Sequence, residues 1–285
     1  MEKYLIWNGK FLDKDNRDGL ISFEDRGYQF GDGVYEVIRI YSGKIHLLEW
    51  HLDRLFYSMN EIGIIPPFTR EGITDQLKEL ITRNQFREDG NIYLQVTRGA
   101  QERDHIYVEN LDAIYYVKID QVDRPNEWIE NGVTVTLQED IRWARCDIKS
   151  LNLLPNVMAR TNAQRKGFNE ALFYKNGIVR ECGASNFFMV KNKTLVTHPA
   201  NHSILGGITR KKVLDIAREL EIPVEEREIK KEELEKADEC FLTATSLEIV
   251  PILKIDEISI NEERIGTLTK KLQKNYTEKI PESLT

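Results

Sequence analysis

The chain has 285 residues, 41% hydrophobic and 31% charged, with a formal net charge of −7. That length holds two ordinary domains or one large one. The acidic balance argues against a nucleic-acid surface, which needs concentrated Lys and Arg, and no apolar run approaches the ~20 residues that span a bilayer.

MEKYLIWNGK lacks the basic and apolar regions of a secretory leader, so none is expected. Cys146, Cys182 and Cys240 are far apart and without CxxC spacing. They read as free thiols in a reducing compartment, not as a disulfide frame or metal site, so the expected location is cytoplasmic.

In chain order, EDRGYQFGDGVYEV (24–37) places Gly31 and Gly33 in a tight turn, without the third glycine and following helix of a dinucleotide fingerprint. LLEWHLDRLFYSMNEI sets Leu48, Leu52, Leu55, Met59 and Ile62 at steps of three and four, one apolar stripe of a helix. A second helix is predicted over 71–84, on Ile73, Leu77, Leu80 and Ile81. NIYLQVTRG alternates Ile92, Leu94 and Val96 with Tyr93, Gln95 and Thr97, a half-buried strand, and 113–119 form another. The polar, aperiodic stretch 120–128 with Pro125 reads as a linker.

Beyond it, strands are predicted at 133–137, 171–174, 187–190 and 194–197. Helices are predicted from Pro155 to about Lys166 and over 208–220, where Val213, Ile216, Ala217 and Leu220 share a face. KKEELEKADE (230–239) reads as a solvated helix, and CFLTATS enters a strand ending near Pro251. The expected architecture is α+β, with mixed, mostly antiparallel sheets and flanking helices. A smaller α/β domain spans 1–119, a linker 120–130 and a larger domain 131–285.

Five stretches could carry chemistry. In DIRWARCDIKSLNLLPN, Lys149 precedes the apolar residues Leu151, Leu153 and Leu154, which would desolvate its amine and favour the neutral, nucleophilic form. An aldehyde cofactor such as pyridoxal 5'-phosphate (PLP) needs such an amine, though most lysines are solvated surface charges. Glu181 lies in a turn before the small residues Cys182, Gly183, Ala184 and Ser185, where a flat ring could approach and a carboxylate could face a pyridine nitrogen. Gly206 and Gly207 precede Ile208 and Thr209 at a helix start, a natural phosphate site, with Thr243, Thr245 and Ser246 as further hydroxyl donors. Tyr35 follows the glycine turn. Arg103 and His105, two apart, would project to one side of an extended segment as a carboxylate clamp. Taken singly, each has an ordinary surface or core alternative.

Together, EDRGYQFGDGVYEV, HLDRL, DIRWARCDIKSLNLLPNV, ECGASN and GGITR resemble the fold-type IV PLP enzymes, from about Leu5 to beyond Lys271. Within that group the chain looks most like the bacterial D-amino-acid aminotransferases. The resemblance implies that Lys149 is the Schiff-base lysine, which also shuttles the substrate α-proton, and that Glu181 partners the pyridine nitrogen. It implies phosphate contacts from Arg54, Ile208, Thr209 and Thr245, and a substrate-carboxylate trio of Tyr35, Arg103 and His105. It further implies transamination of a D-amino acid of the D-alanine or D-glutamate type with 2-oxoglutarate or pyruvate, and a homodimer in which the Arg103/His105 loop completes the neighbouring subunit's site. The alternatives within the fold are a branched-chain L-amino-acid aminotransferase and an aminodeoxychorismate lyase. Three positions depart from the family pattern: Ala184 and Ala244 stand where hydroxyl residues occur, and Gly206 where a bulkier one does. Arg142 is near the motif and receives no role.

Overall fold

The computed structural model describes residues 3–13, 15 and 20–285, and its contacts divide the chain into two units. One holds the chain up to Asp123 together with Ile148–Asn152 and Ser283–Thr285. The other holds Arg124–Asp147 and Leu153–Glu282. The five residues around Lys149 are thus an excursion from the second unit's sequence into the first unit's fold.

The first unit is built from β1 (Tyr4–Trp7), β2 (Lys10–Asp13), α1 (Arg26–Phe30), β3 (Gly33–Tyr41), β4 (Lys44–Ile45), α2 (Leu48–Glu61), α3 (Arg70–Arg83), β5 (Gly90–Thr97) and β6 (Ile114–Gln121). The strands form one antiparallel sheet in the order β2-β1-β6-β5-β3-β4. The two periodic stripes behave as their spacing predicts: Leu48, Leu52, Leu55 and Met59 of α2 and Ile73, Leu77, Leu80 and Ile81 of α3 are buried. They join Ile92, Leu94 and Val96 of β5 in one core. Each such side chain contributes about 1.5–3 kcal/mol when fully buried. Ile62 falls just past α2 as its C-cap.

The second unit contains α4 (Asn126–Asn131), β7 (Val133–Glu139), α5 (Leu154–Arg165), β8 (Glu170–Lys175), β9 (Ile178–Cys182), β10 (Asn186–Lys191), β11 (Thr194–Thr197), α6 (Ile208–Glu219), β12 (Val224–Glu226), β13 (Ile229–Lys230), β14 (Glu239–Ala244), β15 (Glu248–Ile255), β16 (Ile258–Ser259) and α7 (Thr267–Glu278). Its sheet is mixed: β7 runs parallel to β8 and β15, and β11 to β12, while the other pairings are antiparallel. The path β10-β14-β15-β7-β8-β9 closes on itself through one pairing, Glu181 of β9 with Asn186 of β10.

Within the stretch 120–128, β6 extends to Gln121, the two units divide between Asp123 and Arg124, and α4 starts at Asn126 after Pro125, whose fixed φ suits a helix start. Three local expectations change. Pro251 lies inside β15, opposite Phe241. β15 first meets β7 at Ile252, so the missing proline N–H removes no bond of that second ladder. KKEELEKADE holds a short 3-10 helix, Lys231–Lys236, and Glu239 from the same run is buried, accepting from the backbone of Leu268 and Thr269 at the start of α7. Glu181 is the penultimate residue of β9, not a turn residue.

Candidate active site

In the first unit, β3 presents two chemistries on its two faces. Glu36 has the parity of Ile38 and Ile40 and points into the core at 0% exposure. It survives there because α2 carries His51 and Arg54 one turn apart on the facing side. Arg54 grips the carboxylate with Nε at 2.7 Å and Nη2 at 2.9 Å, and His51 Nδ1 lies at 2.8 Å. Burial alone would raise the Glu36 pKa, but the Arg54 and His51 interactions outweigh it and hold the carboxyl well below its ordinary range. Burial pushes His51 down despite Glu36, with Arg54 and Lys149 adding to the fall. The neutral ring then donates Nδ1–H to Glu36 and leaves a buried Nε2 without a protein partner.

On the other face of β3, Tyr35 stacks on Tyr93 at 5.7 Å between centroids. The Lys149 segment pairs with this strand: Tyr35 N–H donates to the Lys149 carbonyl, Leu151 N–H to Gly33, and Val34 bridges to Ser150. Ser58 of α2 accepts from Lys149 N–H at 3.2 Å. Ile148 is buried in the core, and Lys149 Nζ stands 4.4 Å from the centroid of the Tyr35 ring. The apolar residue that anchors the lysine is therefore Ile148, before it. In the LNLL run, Leu151 and Leu153 are half-buried and Leu154 is 69% exposed at the start of α5.

Arg103 and His105 lie on an irregular loop, not an extended strand, yet both reach the same side chain. The Arg103 guanidinium sits 4.5 Å from the Phe30 ring centroid and the His105 ring 5.5 Å from it.

In the second unit, Glu181 is 4% exposed and surrounded by donors. Arg142 Nη1 lies at 2.6 Å, Asn186 Nδ2 at 2.9 Å and Leu205 N at 3.1 Å from both oxygens. Burial is the largest influence and raises the Glu181 pKa, against the Arg142 charge. Arg142 is itself held by Asp140 through Nε and Nη2, both at 2.9 Å, and lies over the Phe173 ring at 4.6 Å. Asp140 also takes Arg180 at 2.9 Å. The residue left without a role is thus the one that orients Glu181.

Asn186 links Glu181 to the start of α6, since its Nδ2 also donates to the Leu205 carbonyl at 2.8 Å. Gly207 caps α6 without any side-chain bond, leaving the first-turn N–H groups to another acceptor. Ile208 and Thr209 follow and are buried. A Cβ on Gly207 would collide with Asn186 Oδ1, whereas one on Gly206 would meet open space. Asn186 pairs with Thr243 of β14, whose buried hydroxyl lacks a partner, and Thr245 follows two residues later in the β14–β15 turn. A helix start uncapped by any side chain, an orphaned hydroxyl and a buried carboxylate form a donor set at this end of β9, β10 and β14 that would fit a phosphorylated ring.

The chain belongs to the class IV aminotransferases, whose family model, Amino-transferase class IV, matches residues 33–255. It is 43% identical over 269 residues to a D-alanine aminotransferase of Bacillus licheniformis, covering 94% of each chain. With a D-alanine aminotransferase of Staphylococcus epidermidis it shares 40% identity over 277 residues and 97% of each chain. Among solved structures, a branched-chain aminotransferase of the thermophilic archaeon Thermoproteus uzoniensis, with norvaline, superposes with a TM-score of 0.88 at 28% identity, covering 99% of this chain and 98% of that one. The α+β architecture is that of the fold-type IV enzymes.

Proposed function

We propose that this protein is a PLP-dependent transaminase acting on D-amino acids of the D-alanine or D-glutamate type, with 2-oxoglutarate or pyruvate as acceptor. The observation that carries this reading is the convergence of Arg103 and His105 on Phe30, two cationic or donor side chains gathered to meet one carboxylate. Identity of 43% to a D-alanine aminotransferase supports it over the branched-chain reading, which rests on a likeness at 28%.

In this reading Lys149, Glu181, Arg54, Ile208, Thr209 and Thr245 hold the cofactor, and Tyr35, Arg103 and His105 hold the substrate. When bound, PLP supplies an aldehyde that takes up the amino group and a ring that draws electrons from the substrate α-carbon. Lys149 Nζ moves the α-proton. Glu181, fixed by Arg142, Asn186 and Leu205, faces the pyridine nitrogen, and the first-turn N–H groups of α6 meet the phosphate; Arg54, whose Nε and Nη2 already serve Glu36, contributes its charge. Arg103 and His105 fix the carboxylate and so decide which face of the α-carbon offers its hydrogen. Ala184 and Ala244 cost cofactor affinity at most, since the buried Thr243 hydroxyl lies beside the same helix start's partner, Asn186.

The functional unit is a homodimer, with the Arg103/His105 loop completing the neighbouring site. The exposed Phe23, Tyr28, Ile106 and Val108 on and beside that loop support this. Three free cysteines, with no helix among the described residues fit to cross a membrane, support a cytoplasmic enzyme. Turnover of D-alanine with 2-oxoglutarate, compared with L-leucine, tests the reading. Arg103→Ala should lose most D-alanine turnover while keeping PLP; full activity in that variant would remove the clamp assignment.

A further inference from the structure

The loop that carries Arg103 and His105 has no regular secondary structure, yet one buried arginine holds its backbone. Arg26 of α1 is 3% exposed. Its Nη1 donates to the Asp104 carbonyl at 2.7 Å and its Nη2 to the His105 carbonyl at 3.3 Å, the peptide groups between and after the two clamp residues. Its Nε donates to Asp32 Oδ2 at 2.9 Å, and its guanidinium lies over Phe30 at 4.7 Å, the ring that Arg103 and His105 also contact.

Asp32 is shared. Arg98 grips it with Nε at 2.7 Å and Nη2 at 2.9 Å, while also donating to the carbonyls of Ile62 and Gly63 at the end of α2. Arg98 lies 3.8 Å under the Tyr107 ring, on the far side of the same loop. The α1 platform is itself fixed at both ends. Asp25 caps it by accepting from Gly27 and Tyr28 N–H and from Thr97 Oγ1, and the Gly31 carbonyl accepts from Asn152, three residues beyond Lys149.

We infer that Arg26 is a positioning residue: with Asp32 and Arg98 it sets the register of the 103–105 loop, so that the side chains meeting the substrate carboxylate start from one preorganised geometry. The inference rests on the carboxylate role proposed for Arg103 and His105 and holds whichever subunit's site the loop serves. The Arg26 donors go to Asp32 and to the Asp104 and His105 carbonyls, so the residue acts through the loop. A guanidinium is needed because three acceptors in different directions must be met at once, by Nε, Nη1 and Nη2, which a lysine ammonium on a flexible stem does not preorganise.

Steady-state kinetics of the PLP-loaded enzyme test it with Arg26→Lys, Arg103→Ala and the double variant. Arg26→Lys should raise KM for D-alanine ~10-fold or more while kcat changes less than ~3-fold, since uniform carboxylate binding is lost and chemistry is not. The double variant should lose less than the product of the two single losses, because Arg26 acts in part through Arg103 and only His105 is left on the loop for it to place. A wild-type KM in Arg26→Lys, or losses that simply multiply in the double variant, overturns the positioning role and leaves the carboxylate reading standing. A wild-type KM in Arg103→Ala instead removes the carboxylate reading and the positioning role with it. Should Arg26→Lys not fold, Asp32→Asn, which keeps the acceptor's shape, takes its place with the same expectations.

Discussion

Arg142 donates to Glu181 across 2.6 Å with both side chains almost wholly out of solvent, and Asp140 holds the rest of the guanidinium. An acidic side chain that burial would neutralise is thereby given a fixed direction and a cationic neighbour. Arg142→Met removes the charge from between two buried carboxylates. It should cost about 3–5 kcal/mol of stability, the usual loss on breaking a buried pair from one side. Urea unfolding would measure it, and a loss below about 1 kcal/mol would mean that Arg180 alone satisfies Asp140 and that Glu181 does without its partner.

Glu36 makes a pH prediction. Its folded pKa is depressed, so its contribution to stability is complete above the ordinary glutamate value of 4.5 and drains away as pH falls below it. Glu36→Gln should flatten that acid limb of the stability-versus-pH curve and lower stability at neutral pH by about 3 kcal/mol, leaving the Arg54 charge without its anion. Chemical unfolding of both proteins on either side of pH 4.5 decides; parallel curves would place the acid sensitivity elsewhere.

The two glycines before α6 should respond differently. Gly207→Ala forces a methyl into Asn186 Oδ1 and should cost about 1–3 kcal/mol and weaken PLP retention on dialysis. Gly206→Ala meets nothing and should leave both unchanged. Equal behaviour of the two variants would show that Asn186 gives way and that the cap geometry is not tightly set.

Much of this was legible in the sequence because periodicity reports burial: the stripes of α2 and α3 and the alternation of β5 need no tertiary information. The proposed site residues stand in recognisable motifs, but their partners in the fold could not be read there. Glu36 could have been found, since it shares parity with Ile38 and Ile40 in VYEVIRI and so had to face the core. Its partners His51 and Arg54, 15 and 18 residues on, show only in three dimensions. Arg142 lies in an aperiodic stretch where spacing says nothing about direction. The run after Lys149 is less buried than its composition suggests, because hydrophobicity alone does not tell a core segment from a helix start whose apolar face is exposed, as Leu154, Val157 and Met158 are. Arg26 gave no sign either, because its acceptors are backbone carbonyls, which any sequence supplies.

Lys149 is held by its backbone to β3 and by Ile148 to the core, so its removal should leave the fold intact. Lys149→Ala should melt within a few degrees of the parent and yield no borohydride-fixed PLP on the 140–156 peptide by mass spectrometry. A fixed adduct on that peptide in the variant would disprove the assignment of the amine.

The most direct test of the whole account is the absorption spectrum of the purified, PLP-loaded protein, titrated with D-alanine and separately with L-leucine in the absence of any oxo acid. The account predicts that D-alanine bleaches the yellow band and restores it on addition of 2-oxoglutarate, while L-leucine does neither. Bleaching by L-leucine with no response to D-alanine would contradict it.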